Sequence, residues 1–140
     1  MRMTEGEART RFGASRVARL ATTGADGRPH LVPVTFALDG DTVATAIDHK
    51  PKSTQDLRRL HNIREHPSVC LLADHYAEDW SRLWWARADG DARIVTDPGD
   101  CAAPSGWLAA KYAQYQEQPP TGPVILVTID RWTGWQASPA

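Results

Sequence analysis

The stretch RVARLATTGADGRPHLVPVTFALDGDTVATAI (16–47) constrains the fold of this chain more than any other. Short alternating runs of apolar and polar residues are cut by Asp-Gly pairs. Arg16 to Thr23 alternates and predicts a strand. Asp26-Gly27, within GADGRP (24–29), is hairpin chemistry, because these residue types accept the left-handed backbone of a tight turn. His30 to Leu38 predicts a second strand. Pro33 inside it marks an edge or a bulge, since proline has no N–H to give to a ladder. DGD (39–41) turns the chain again, and Thr42 to Ile47 predicts a third strand.

The same reading extends along the chain. Thr4-Glu5-Gly6-Glu7 fits a capping box and predicts a helix from about residue 4 to 13. Ser53 is placed to cap a helix running to about Glu65, which His66-Pro67 ends. Ser68 to Asp74 has the pattern of a buried strand. Leu83 to Thr96 predicts a hairpin about Asp89-Gly90-Asp91, with small apolar residues alternating against charged ones. Asp97 to about Gln114 reads as a turn and helix, and EQPPTGP (117–123) as a loop. Val124 begins a last strand that runs on through RWTGW (131–135). The expected fold is mainly β with flanking α: a small barrel of about six to seven antiparallel strands with helices at its rim, formed by 1–140 as a single domain.

Composition narrows the function. The 140 residues carry a net charge of −1, so no overall basic field draws the chain to nucleic acid or a membrane surface. Cys70 and Cys101 form no CxxC pair, which argues against a disulfide scaffold or a structural zinc site and suits a reducing compartment. The N-terminal residues alternate charges (Arg2, Glu5, Glu7, Arg9, Arg11) without an apolar signal core. A cytoplasmic protein is the expectation. There is no GxSxG, Walker loop or HExxH, and the histidines lack metal-ligand spacing, so no metal is expected.

Two features remain. DHKPKS (48–53) gathers two lysines, a stiffening proline and a hydroxyl at a strand-to-helix junction. It is either a solvated turn or a grip for an anion, which the first N–H groups and the dipole of a helix would favour. The second feature is a set of six tryptophans, concentrated in DWSRLWW (79–85) and RWTGW (131–135). Trp84 and Trp85 occupy consecutive strand positions, so their rings point to opposite faces. One fills the barrel. The other serves a partner subunit or a flat ligand, unless both pack core and subunit contact.

These segments together resemble the pyridoxamine-phosphate-oxidase-like split β-barrels, a fold of the FMN-binding-protein kind. ATTGADGRPHLVPV (21–34) carries the broad likeness; SRLWWAR (81–87) with RWTGW is similar to an actinobacterial subgroup of F420-dependent oxidoreductases. The resemblance implies a homodimer with cofactor sites at the subunit interface and coenzyme F420, a deazaflavin, as cofactor, with FMN as the alternative. It implies that Pro33, Val34 and Thr35 line the ring, that His49 lies near the ribityl chain, and that Lys50 and Lys52, aided by Ser53, hold the phosphate. Arg64, in the pattern N-x-R-x-x-P (62–67), is a further phosphate candidate. Trp80, Trp84 and Trp85 are implied as pocket walls, and His75 and Tyr76 as candidate proton donors. The helix between Lys52 and Asn62 is longer than the family pattern, which leaves open which of Arg58, Arg59 and Arg64 reaches the cofactor. The implied activity is hydride transfer to or from a small activated C=C or C=N substrate. An FMN-dependent oxidoreductase, or a non-catalytic flavin-, F420- or tetrapyrrole-binding protein, is the alternative.

Overall fold

The computed structural model describes residues 1–47 and 54–138. The elements run α1 (Glu5–Ala14), β1 (Ala18–Thr23), β2 (Pro29–Val34), β3 (Ala37–Asp39), β4 (Thr42–Ala46), α2 (Thr54–Glu65), β5 (Ser68–His75), a 3-10 turn (Trp80–Arg82), β6 (Trp84–Val95), α3 (Pro98–Lys111), α4 (Ala113–Glu117) and β7 (Val124–Gln136). The expected capping box is present: Thr4 Oγ1 accepts from the Glu7 N–H at 3.1 Å, and Glu7 Oε1 accepts from the Thr4 N–H at 3.2 Å.

The run from His30 to Leu38 is not one strand. It divides into β2 and β3, which are the opposite edges of a 7-stranded antiparallel sheet of order β2-β1-β5-β6-β7-β4-β3. Only Thr35 and Phe36 join them. In a flat sheet, strands about 4.8 Å apart would separate the two edges by about 29 Å. The chain from Val34 to Ala37 spans at most about 11 Å. The sheet must therefore curl until its edges meet, and the result is a split barrel. The corner is held by its own polar groups. The Phe36 N–H donates to Tyr112 Oη at 3.1 Å, and Thr45 Oγ1 donates to the Thr35 carbonyl at 2.8 Å. Pro33 sits on the edge strand β2, opposite Arg19, where a missing donor costs the ladder nothing.

Inward residues of each strand make the core: Leu20, Val32, Val34, Val43, Leu71, Ala88 and Val127 are all buried. Helix α1 closes one end. Its Phe12 is fully buried, 4.7 Å from the Phe36 ring and edge-on to Trp132 at 5.4 Å. Helix α2 enters elsewhere, with Leu60, Asn62 and Ile63 buried and Asn62 Nδ2 donating to Thr22 Oγ1 at 3.1 Å. Helix α3 lies outside, where Cys101 and Trp107 cover Ala44, Val95, Val124 and Leu126.

Two further expectations change. Leu83 to Thr96 is no hairpin: β6 is one 12-residue strand paired with β5 on one side and β7 on the other. Asp89-Gly90 is a register shift within it, a bulge rather than a turn. Gly90 is required by close approach, because a Cβ there would lie 2.1 Å from the Thr128 carbonyl oxygen. The helix expected to continue to about Gln114 breaks at Tyr112, which is extended (φ −120, ψ 125). That break carries the Tyr112 phenol to the Phe36 backbone.

Candidate functional site

The barrel corner opens a cavity of about 250 Å³. Pro33, Val34 and Thr35 form one wall, Thr45 and Ala46 of β4 another, with Val17 at the rim; Arg59 of α2 and Tyr115 of α4 complete the lining. Each arrives for a local reason. Val34 alternates inward on β2, so Pro33 is turned out beside it. Thr45 is pinned by its bond to the Thr35 carbonyl. Tyr115 follows the break at Tyr112, with the two phenol rings edge-on at 5.7 Å, and its Oη lies 2.9 Å from Thr35 Oγ1. Arg59 is buried, with 8% of its surface exposed.

The chemistry of the lining is one-sided. Among the described residues it offers a guanidinium, two hydroxyls, a phenol and apolar surface, and no carboxylate. A flat ligand with an acidic end matches that donor set.

Beneath the corner, Lys111 Nζ donates to the carbonyls of Ser15 (2.6 Å) and Gly13 (3.3 Å) and lies 3.7 Å from the centre of the Phe36 ring. Burial, and then the charge of Arg16, push its pKa down from 10.5 to about 8. Burial raises the Tyr112 phenol, whose Oη also lies 2.7 Å from the Arg16 carbonyl.

The other sequence candidates are dispersed. Trp84 packs on the core beneath the Arg11 guanidinium, 5.1 Å from its ring. Trp85 stands opposite Trp135 on the outer face of the sheet, with Arg87 5.6 Å from its ring. The two neighbours do point to opposite faces. Trp80 (75% exposed), Tyr76 (68% exposed) and the exposed His75 lie in and beside the β5–β6 connection. Arg64 is exposed in the last turn of α2. None of these lines the cavity. His49, Lys50, Lys52 and Ser53 lie outside the described residues. Of the three arginines in question, Arg59 enters this cavity, while Arg58 lines a second one, about 190 Å³, with Arg28, His30 and Asn62.

Val17, Thr45, Ala46 and Tyr115 were not among the sequence candidates. Tyr115 lies beyond the expected helix end at about Gln114, and its ring meets that of Tyr112 because the chain breaks at Tyr112. Among the described residues no group of His, Cys, Asp or Glu is placed to hold a metal ion, and no helix is long and apolar enough to cross a membrane.

Residues 4–136 match the family described as pyridoxamine 5'-phosphate oxidase. No curated protein matches the chain. Among solved structures, a conserved hypothetical protein of Mycobacterium tuberculosis is 21% identical with a TM-score of 0.76, covering 96% of this chain and 85% of its own. An FAD-binding protein of Mesorhizobium loti is 19% identical with a TM-score of 0.77, covering 99% and 98%. An FAD-binding protein of Mycobacterium smegmatis is 21% identical with a TM-score of 0.67, covering 99% of both chains. At these identities the likeness is one of fold.

Proposed function

The chain belongs to the pyridoxamine 5'-phosphate oxidase family, and on that footing we propose that its corner cavity holds a flavin-type cofactor and that the protein is an oxidoreductase. The observation that carries this reading is the buried guanidinium of Arg59 facing an apolar edge made by Pro33 and Val34. Such a site offers a flat ring an apolar wall and its acidic end a fixed positive charge. Thr35 and Tyr115 add hydroxyl groups that orient the ring edge.

Coenzyme F420 is the preferred cofactor, on the resemblance of SRLWWAR and RWTGW. When bound, it supplies hydride to a small activated C=C or C=N substrate. The protein contributes binding, orientation and exclusion of water. FMN is the second reading; two neighbours named FAD-binding proteins support a flavin-type cofactor without distinguishing one flavin from another.

The cavity is smaller than the roughly 300–1,000 Å³ of sites that enclose a whole ligand. A second copy of the chain would cover the remainder. Leu31, 66% exposed on β2, and Trp85 and Trp135 further across the sheet give that copy an apolar surface to bury. Residues of the β5–β6 connection, Tyr76 and Trp80 among them, would then reach the site from the partner.

The test is side-by-side titration of F420 and FMN, followed by turnover of reduced F420 with enones and imines. Tighter binding of F420 is expected. Tighter binding of FMN moves the assignment to the second reading, and binding of neither overturns both.

A further inference from the structure

The second cavity lies three positions back along β2 from Pro33, about 10 Å away. It is lined by Arg58 of α2, by Asp26 and Arg28 of the β1–β2 turn, and by His30 and Asn62. Arg28 is paired with Asp26 at 3.7 Å, and the charges of Arg58 and Arg59 both act on His30. His30 shares the inward parity of Val32 and Val34, and its Nδ1 is buried with no hydrogen-bond partner among the described residues. A buried ring nitrogen without a partner is uncommon, and here it belongs to a side chain that lines a cavity.

We propose that this cavity is a second anion subsite, in which Arg58 and His30 clasp a carboxylate or phosphate group and His30 takes up a proton from solvent as the anion enters. Burial, and then the charges of Arg58 and Arg59, lower the His30 pKa. An anion beside Arg58 offsets the positive field at the ring. It also gives Nδ1 an acceptor. Both changes favour the imidazolium, so binding and protonation are linked, and affinity increases as the pH falls. Among the described residues, the groups facing His30 are Arg58 and Arg59 from α2, and Asp26 and Arg28 from the turn; its partner on β1, Thr22, does not titrate. The subsite does not depend on what the larger cavity takes.

Sulfate is the probe, because it stays a dianion across the range in which histidine titrates. The His30 Cε1–H resonance, assigned by its loss in His30→Gln, is followed by NMR against pH in sulfate and in sodium chloride of equal ionic strength. The His30 midpoint should rise in saturating sulfate by about one pH unit, and sulfate affinity should rise by the matching factor, up to about tenfold, as the pH falls through the two midpoints. Arg58→Gln should remove both effects. Arg58 is exposed, so this change leaves the core alone; should the variant unfold, the sulfate–chloride contrast in the unaltered protein still decides. Equal midpoints in the two salts, or a sulfate effect that survives Arg58→Gln, overturn the proposal. A repeat with FMN at saturation identifies the source of the anion. If FMN alone moves His30 and blocks sulfate, the group is the ligand's own phosphate; if sulfate still acts, the subsite takes a separate anion. No flavin enters the first titration, so its failure leaves the reading of the larger cavity standing.

Discussion

Tyr115 Oη and Thr35 Oγ1 lie 2.9 Å apart, a contact that ties α4 to the corner where the barrel's two edges meet. It joins residues 80 positions apart, so it reports on the closed barrel rather than on either element alone. Tyr115→Phe and Thr35→Val should each lower the unfolding free energy by about 0.5–1.5 kcal/mol. The double variant should lose less than the sum, by roughly 0.5 kcal/mol or more. Urea denaturation of the four proteins measures this. Strict additivity would mean that the hydroxyls do not interact.

Arg59 and Lys52 are expected to separate in their effects on cofactor binding. Each charged hydrogen bond is worth about 1.5–3 kcal/mol, or roughly a 10- to 150-fold change in dissociation constant. Lys52→Ala should weaken binding within that range and leave the melting temperature unchanged. Arg59→Gln should weaken binding and also lower the melting temperature, because Arg59 is buried. Fluorescence titration beside thermal melts distinguishes the two. Unchanged affinity in both would remove the phosphate assignment.

Lys111 makes stability depend on pH in an unusual direction. Its folded pKa of about 8 lies below the ordinary 10.5. Between these values the unfolded chain binds more protons than the folded one, so stability from this group rises with pH. Relative to Lys111→Met, the unaltered protein should gain stability from about pH 8 to pH 10. Parallel denaturant curves at several pH values give the difference directly. A difference that shrinks as pH rises would contradict the half-buried, desolvated placement of Lys111.

Gly90→Ala tests the bulge. The new methyl would meet the Thr128 backbone oxygen, which has no rotamer through which to move away. A loss of about 3 kcal/mol is expected, read from thermal or urea unfolding. Gly6→Ala, on the exposed side of α1 with nothing within 4 Å of the new carbon, should be neutral or slightly stabilising.

The proposed pairing of outer faces predicts that Leu31→Glu yields a folded monomer. Leu31 is two-thirds exposed in the single chain, so a charge there does not disturb the core. Sedimentation at micromolar concentration should show a dimer for the unaltered protein and a monomer for the variant, with weaker cofactor binding in the latter. A dimer that persists in Leu31→Glu would place the subunit contact elsewhere.

The strands and the capped first helix were legible because their signals are local. Alternation, Asp-Gly turns and Thr4 with Glu7 act within a few residues, where covalent geometry sets what is near. The misread segments failed where a local signal meets a distant partner. Asp89-Gly90-Asp91 has hairpin composition, yet β5 and β7 already occupy both sides of that strand, and the glycine serves close approach to Thr128. His30 to Leu38 alternates as one strand would, yet closing the barrel needs a corner at Thr35-Phe36, stabilised by Tyr112 from far along the chain. The same limit governs the candidate site. The family resemblance could point to Pro33, Val34 and Thr35 because they lie in one continuous motif. Tyr115, Thr45 and the division of labour between Arg58 and Arg59 could not be named, because adjacent helical residues differ by about 100° in direction. Only the seating of α2 on the barrel decides which guanidinium enters which cavity.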